Sequence, residues 1–199
     1  MPVIKYNETL KRVFRKPVFT PEDLHNEGIP MNYSKKLLHM LAKSGRINHI
    51  ERGKYTCLDD PVAVAAHITK PCYLSLWTAM SIRNLTTQVP FAVEVVTSRK
   101  RFKNKINLAG TEIIFHTVNP RMIFGYENMI WGNTRIPVAN IEKIIIDAFF
   151  IGNISEEEIL HMVKLSDISL LRKYAELTGN EKIKGKIKEL IKKCSRRKR

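Results

Sequence analysis

Residues 44–57, which read SGRINHIERGKYTC, indicate how the N-terminal part of the chain folds. The segments 46–50 and 54–58 are rich in residues that favour strands. They flank Glu51-Arg52-Gly53, a short loop in which glycine can adopt a positive φ. The pattern predicts a β-hairpin, with Arg52 at its tip.

Three short helices are predicted before this hairpin. The first spans residues 8–16, the second begins after the N-cap Thr20 and the helix-starting Pro21, and the third spans residues 32–44. Three helices followed by a hairpin is the order of a winged helix-turn-helix. We therefore predict that residues 1–58 form a winged helix-turn-helix DNA-binding domain.

The third predicted helix has two chemically different sides. At roughly 100° per residue, Leu37, Leu38 and Leu41 fall on one side and can pack inward. The opposite side carries Asn32, Tyr33, Lys36, His39, Met40 and Lys43. An ordinary exposed helix mixes charges of both signs, whereas this side has no carboxylate. A surface without acids suits the phosphate backbone of DNA, although a charged helix face often serves only solubility.

The predicted DNA contacts come from this helix and from the hairpin. The helix is expected to enter the major groove, while Arg52 reaches the minor groove or the adjacent phosphates. Ile47 and Tyr55 are expected to pack inward. The predicted DNA-binding residues are Asn32, Tyr33, Lys35, Lys36, His39, Lys43, Arg46, Arg52, Gly53 and Lys54.

The charge of the chain points to a polyanionic partner. The 199 residues include 34 Lys and Arg against 19 Asp and Glu, a formal net charge of +15. Residues 1–58 carry 11 Lys/Arg and 5 Asp/Glu, residues 59–179 carry 13 and 12, and residues 180–199 carry 10 and 2. Excess cations attract phosphates, so nucleic acid is the leading partner.

Two further basic segments are predicted as secondary nucleic-acid contacts. Residues 99–105 could follow DNA, RNA or a protein partner, or could be a solvated loop. A basic helix near the C-terminus could instead lie on a membrane surface, but it has no aromatic residues. The predicted secondary contacts are Arg99, Lys100, Arg101, Lys103, Lys105, Arg196 and Arg197.

Residues 59–199 are predicted to form an α+β domain with a mostly antiparallel sheet and C-terminal helices. Pro61 opens it, after Asp59-Asp60. Strands are predicted at 91–97, 111–118, 122–126, 128–131 and 134–138. Helices are predicted at 61–69, 73–84, 139–150, 156–165, 168–178 and 181–194, with Ser75 as an N-cap.

Four blocks of the sequence, in this order and spacing, resemble the AbiEi antitoxin family of type IV toxin–antitoxin systems. The resemblance covers about residues 8–150, and each block alone is weak. The blocks are KKLLHMLAKSGRI with RGKY (35–55), YLSLWTAM (73–80), QVP with VVT (88–97) and IPVANIEKIIID (136–147).

The resemblance implies an N-terminal winged helix that binds inverted repeats in its own promoter. It also implies a second domain that antagonises a nucleotidyltransferase-like toxin, generally without a stable complex. The implied functional positions are the recognition helix, residues 32–43, and the wing at Arg52-Gly53. It transfers no catalytic role to Ser75, Glu142 or Asp147, and the basic tail lies outside it.

The sequence offers no recognised catalytic motif. Glu142 and Asp147 lie five residues apart on an apolar helix, and we expect them to pair with Lys143 or Arg135 or to cap loop amides. His116 is expected to be hydrogen-bonded scaffolding. We therefore predict no enzyme activity, no metal and no cofactor. Two alternatives stay open: a metal-dependent nuclease and a passive RNA-binding module.

Cysteine use and hydropathy indicate where the protein resides. The three cysteines are widely spaced and include no Cys-x-x-Cys pair, so they indicate neither a disulfide framework nor a zinc site. No apolar run reaches the roughly 18 residues that a membrane span needs. We predict a cytoplasmic protein without a membrane partner.

Overall fold

A computed structural model describes residues 6–196 of the chain, with the side chains of residues 6–194. This part of the chain is a mixed α+β structure with two sheets, as predicted. The helices are α1 (Asn7–Val13), α2 (Pro21–Asn26), α3 (Met31–Lys43), α4 (Pro61–Ile68), α5 (Leu76–Ile82), α6 (Ile141–Ile151), α7 (Glu156–Leu165), α8 (Ile168–Leu177) and α9 (Glu181–Arg196). The strands are β1 (Asn48–Glu51), β2 (Lys54–Thr56), β3 (Cys72–Leu74), β4 (Ala92–Thr97), β5 (Lys105–Leu108), β6 (Thr111–Thr117), β7 (Tyr126–Trp131) and β8 (Thr134–Ala139).

The first three helices and the β1–β2 hairpin share one cluster of buried apolar side chains, which includes Leu37, Leu38, Leu41, Ile47 and Tyr55. A second, larger cluster contains the apolar side chains of the remaining elements. Ile50 of β1 belongs to this second cluster, so the hairpin contacts both. The domain boundary predicted after residue 58 lies between the hairpin and α4, and it stays a prediction.

Local sequence signals set the ends of the first helices. Thr20 and Asp23 form a reciprocal capping box at the start of α2, where Pro21 occupies the first helical position. Burial raises the pKa of Asp23, but hydrogen bonds from Lys16 and Thr20 lower it by more. After α3, Gly45 adopts the left-handed conformation with φ of 69°, which ends the helix.

The large sheet has the strand order β5-β6-β4-β3-β8-β7. Neighbours pair in antiparallel fashion except β4 with β6 and β3 with β8, which are parallel. The prediction of a mostly antiparallel arrangement is therefore confirmed. Helix α4 packs on β3, β4, β6 and β8, and α6 contacts α5, α7, α8, α9 and β8.

Two elements predicted within residues 59–199 are wrong, and one strand is missed. The helix predicted at 73–84 divides into β3 and α5, because Tyr73 and Leu74 are fully buried in the sheet. Leu76 then turns the chain with a φ of 53°. The strand predicted at 122–126 is a 3₁₀ turn, Pro120–Met122, followed by a loop. Strand β5 was predicted only as the end of a basic loop.

A buried polar cluster connects α6 to β3 and to the residue that follows it. Lys143 and Asp147 both have fully buried side chains, and Lys143 Nζ lies 2.7 Å from Asp147 Oδ1. Tyr73 and Ser75, two residues apart on extended backbone, project to the same side. Their hydroxyls donate to Asp147 Oδ2 at 3.1 and 2.8 Å. Asp147 thus accepts hydrogen bonds from Lys143, Tyr73 and Ser75. Its expected pairing with Lys143 is confirmed.

Burial dominates the ionisation of this cluster. It raises the pKa of Asp147, although Lys143, Ser75 and Tyr73 oppose the rise. It lowers the pKa of Lys143, which Asp147 opposes. Glu142 is also buried, and its carboxylate accepts the backbone N–H of Asp167 at 2.8 Å, close to the start of α8. The second expected role, binding of loop amides, is therefore confirmed for Glu142.

Removal of one partner of the buried pair should destabilise the fold. We expect Lys143→Met to lower the free energy of unfolding by about 3–5 kcal/mol, because Asp147 stays buried without its cation. Urea denaturation followed by circular dichroism measures this difference.

Lys164→Met, at an exposed position of α7, is the matched control and should change stability by less than about 0.5 kcal/mol. Lys143→Met/Asp147→Asn should recover part of the loss, because the Asn amide can still accept from Tyr73 and Ser75. Equal stability of wild type and Lys143→Met would contradict this account of the pair.

Candidate nucleic-acid interface

Helix α3 buries its leucine side as the sequence predicts. Leu37, Leu38 and Leu41 are buried, and the buried Ser34 hydroxyl donates to the carbonyl of Ile29 at 3.3 Å. These contacts fix the rotation of α3 about its own axis. The opposite side therefore faces away from the cluster of buried apolar side chains that includes these leucines.

The outward face of α3 is accessible along its whole length. Tyr33 and Met40 are half-exposed, and Tyr33 lies against Tyr6 with 5.8 Å between ring centroids. No carboxylate occurs in α3, so its cations have no acidic neighbour within the helix. This face consists of Asn32, Tyr33, Lys35, Lys36, His39, Met40 and Lys43, all exposed.

The hairpin after α3 has a two-residue turn. Glu51 pairs with Lys54, so Arg52 and Gly53 form the tip, and Gly53 has a φ of 74°. A side chain at Gly53 would be strained in this conformation. Arg52 and the preceding Arg46 are exposed, whereas Ile47 and Tyr55 are buried as expected.

Two predicted contact residues, Lys54 and Arg101, bond to groups inside the molecule, and their assignment to the interface stays a prediction. Lys54 donates to Glu51 at 2.9 Å and to the carbonyl of Ile68 at 2.5 Å. The side chain of Arg101 is only 7% exposed, and its guanidinium pairs with the other oxygen of Glu51. Arg101 also lies 3.8 Å from the ring centroid of Phe115.

Glu51 therefore links the hairpin to the large sheet. It is half-buried between Lys54 and Arg101, and the partners come from both sides of the predicted domain boundary. Burial raises the pKa of Glu51, but the hydrogen bonds and charges of Lys54 and Arg101 lower it by more. The Glu51 carboxylate is therefore ionised at neutral pH.

A groove of about 1030 Å³ lies between the hairpin and residues 99–105, which we call the basic loop. We call this cavity the basic groove. Its single acidic lining residue is Glu51, which Lys54 and Arg101 neutralise. Its cationic lining consists of Arg52, Lys54, Lys70, Arg99, Lys100, Arg101, Lys103 and Lys105.

The basic loop is held in place by hydrogen bonds. The backbone N–H of Arg99 donates to the Thr97 hydroxyl at 3.1 Å, and its Nε donates to the carbonyl of Lys70 at 3.0 Å. Arg101 Nε donates to the carbonyl of Lys103 at 3.2 Å. These bonds restrict the backbone, so a ligand would meet a largely preformed loop.

The C-terminal helix is not free on the surface. Ile183, Ile187, Leu190 and Ile191 of α9 are buried in the large apolar cluster, which removes the apolar side that a membrane-surface helix needs. Lys184 pairs with Glu176 at 2.7 Å. The side chain of Arg196 and the whole of Arg197 lie outside the described residues, so both assignments stay predictions.

Histidine and carboxylate side chains elsewhere do not form a metal centre in the part of the chain that the structure describes. His116 Nε2 lies 3.2 Å from Glu94 Oε1, and the same carboxylate accepts the backbone N–H of Trp77 at 3.1 Å. The expected hydrogen-bonded role of His116 is therefore confirmed. Across residues 6–196, no helix is long and apolar enough to cross a bilayer.

Sequence reasoning missed two features of this region. Lys70 lines the basic groove although it lies about thirty residues from the basic loop, and Glu51 was seen only as part of a turn. A signal for Glu51 was present, because it is the only carboxylate between residues 28 and 58. An isolated acid among cations often has a structural partner.

The sequence matches no family model and no curated protein.

Substitution of Glu51 should weaken the link between hairpin and sheet. We expect Glu51→Gln to lower the free energy of unfolding at about pH 7 by roughly 1–2 kcal/mol, a value discounted for partial exposure. Because the folded-state pKa is lowered, this contribution is full above the ordinary glutamate pKa of about 4.3 and is lost as pH falls further.

Urea denaturation at about pH 7 and about pH 3 measures the two differences, and the difference at pH 3 should be smaller than that at pH 7. Glu112→Gln, which breaks the exposed Lys105–Glu112 pair, is the matched control and should cost less than about 1 kcal/mol. An equal loss for both variants at about pH 7 would show that Glu51 has no special role.

Proposed function

We propose that the protein is a sequence-specific DNA-binding transcriptional regulator, in which residues 1–58 act as a winged helix-turn-helix. The observation that carries the proposal is the outward face of α3. It is exposed, contains cations without a carboxylate, and directly precedes a glycine-turned hairpin. This combination suits a helix that enters the major groove beside a wing that contacts the backbone.

The side chains divide naturally by chemistry. Lys35, Lys36 and Lys43 can neutralise phosphates, which gives affinity without sequence information. Asn32 and His39 can hydrogen-bond to base edges, and Asn suits adenine in particular. Arg52, exposed at the hairpin tip, can reach the minor groove or nearby phosphates. Lys54 is not included, because its ammonium group is already bonded to Glu51 and Ile68.

We further propose that the regulator acts as the antitoxin of a type IV toxin–antitoxin system and represses its own promoter. This step rests on the resemblance of residues 8–150 to the AbiEi antitoxin family. In this proposal the second unit antagonises a nucleotidyltransferase-like toxin, and two copies of the protein bind the two halves of an inverted repeat.

The nuclease alternative gains no support from Asp147. Its side chain is fully buried, and Lys143, Ser75 and Tyr73 bond to its carboxylate. A carboxylate that holds a catalytic metal needs free oxygens within reach of substrate.

Lys36→Ala should weaken binding to DNA from the region upstream of the gene. We expect about tenfold lower affinity, from the loss of one charge-assisted phosphate contact, and a salt slope that is smaller by about 1. A gel-shift titration at several salt concentrations measures both quantities.

Lys164→Ala, an exposed lysine on α7, is the matched control and should bind like the wild type. A scrambled duplex of the same length tests specificity. Equal affinity for the upstream and scrambled duplexes at near-physiological salt would overturn the proposal of a sequence-specific regulator. Loss of intact DNA upon addition of Mg²⁺ would favour a nuclease instead.

A further inference from the structure

The basic groove contains more cationic side chains than take part in its ion pairs. Lys54 and Arg101 are bonded to Glu51, and Lys105 pairs with the exposed Glu112 at 3.1 Å. The remaining lining cations are exposed, and their side chains have no ion-pair partner among the described residues. These cations are Arg52, Lys70, Arg99, Lys100 and Lys103.

Such an arrangement does not stabilise the fold. Like charges close together repel one another, and nothing within the described residues screens these cations. The hydrogen bonds that hold the basic loop keep them around one cavity instead of letting them separate. A bound polyanion would relieve the repulsion and release counterions, which favours binding.

An aromatic side chain lies among the cations of the basic groove. Phe102 lines the basic groove and is fully exposed, which is a costly position for a phenyl ring without a partner. Its neighbours in sequence are Arg101 and Lys103. A cationic groove together with exposed aromatic rings is the arrangement by which proteins bind single strands, because unpaired bases stack on the ring.

Duplex DNA would use this site poorly. In a duplex the faces of the bases are stacked on one another, so Phe102 would have no base to contact. The groove is concave, and its volume of about 1030 Å³ is at the upper end for a small-molecule pocket. That volume can accept a short segment of unpaired chain with its bases.

We propose that the basic groove binds single-stranded nucleic acid, with the sugar–phosphate backbone along Arg52, Lys70, Lys100 and Lys103 and a base stacked on Phe102. This site is separate from the outward face of α3 and does not depend on the duplex binding proposed above. The ligand would contact both the hairpin, through Arg52, and the basic loop.

The test measures binding of the full-length protein to fluorescein-labelled strands by fluorescence anisotropy. The probes are oligo(dT) and oligo(U) of about 15 nucleotides and a duplex of the same length and arbitrary sequence. We expect at least one single strand to bind, and the comparison of oligo(dT) with oligo(U) identifies the preferred sugar.

Phe102→Ala should lower the affinity for the single strand by about tenfold, the effect of one lost stacking contact. Phe91→Ala is the matched control. Phe91 is as exposed as Phe102, but it lies before β4, whereas the basic loop begins after β4. Lys100→Ala/Lys103→Ala should reduce the salt slope for single strands by about 1.4. Lys36→Ala should leave single-strand binding unchanged, so failure here is distinguishable from failure of the regulator proposal.

Two results would overturn the proposal. One is a failure of both single strands to bind, and the other is unchanged affinity in Phe102→Ala and in Lys100→Ala/Lys103→Ala. Competition by polyglutamate as strong as that by oligonucleotide, together with unchanged affinity in Phe102→Ala, would assign the groove to an acidic protein partner. Circular dichroism spectra of the variants check that each is folded.

Discussion

The half-buried carboxylate of Glu51 fixes how the hairpin and the large sheet are arranged around the basic groove. One of its oxygens accepts from Lys54 and the other from Arg101, and these cations come from different units. Arg101 is further fixed by the ring of Phe115. A carboxylate with two such partners resists protonation, so the link persists across the physiological pH range. Ile50, buried beside Glu51, adds an apolar contact to the polar one.

The cations near this link have two different roles. Those bonded to Glu51 hold the molecule together, and removing either would leave this half-buried carboxylate with a single cation. Those without an ion-pair partner among the described residues, such as Lys100 and Lys103, contribute charge repulsion. In the proposal above, a bound single strand accounts for their positions. Bound duplex DNA would account in the same way for Lys36 on α3, whose neighbours within the helix include no acid.

Much of the fold could be predicted from local patterns. The leucine spacing of α3, the Thr20-Pro21 signal and the strand pattern of residues 91–97 each depend on neighbours in sequence, and each was interpreted correctly. The junction at Leu76 could not be found in this way. A leucine gives no sign of a positive φ, and β3 is a strand because flanking strands and α6 bury it. Strand β5 is likewise formed by its pairing with β6.

The candidate site shows the same division between local and long-range information. Sequence position identifies a lysine or arginine as basic and exposed, which is correct for Arg52 and Lys100. It does not identify a partner 50 residues away. Arg101 is therefore predicted as a nucleic-acid contact like its neighbours, although its guanidinium contacts Glu51 and Phe115. Within the run Arg99–Lys105, therefore, residues of one charge differ in role because two of them, Arg101 and Lys105, pair with acids. A cation is informative about a ligand only once its internal partners are known, and Lys100 and Lys103 meet that condition.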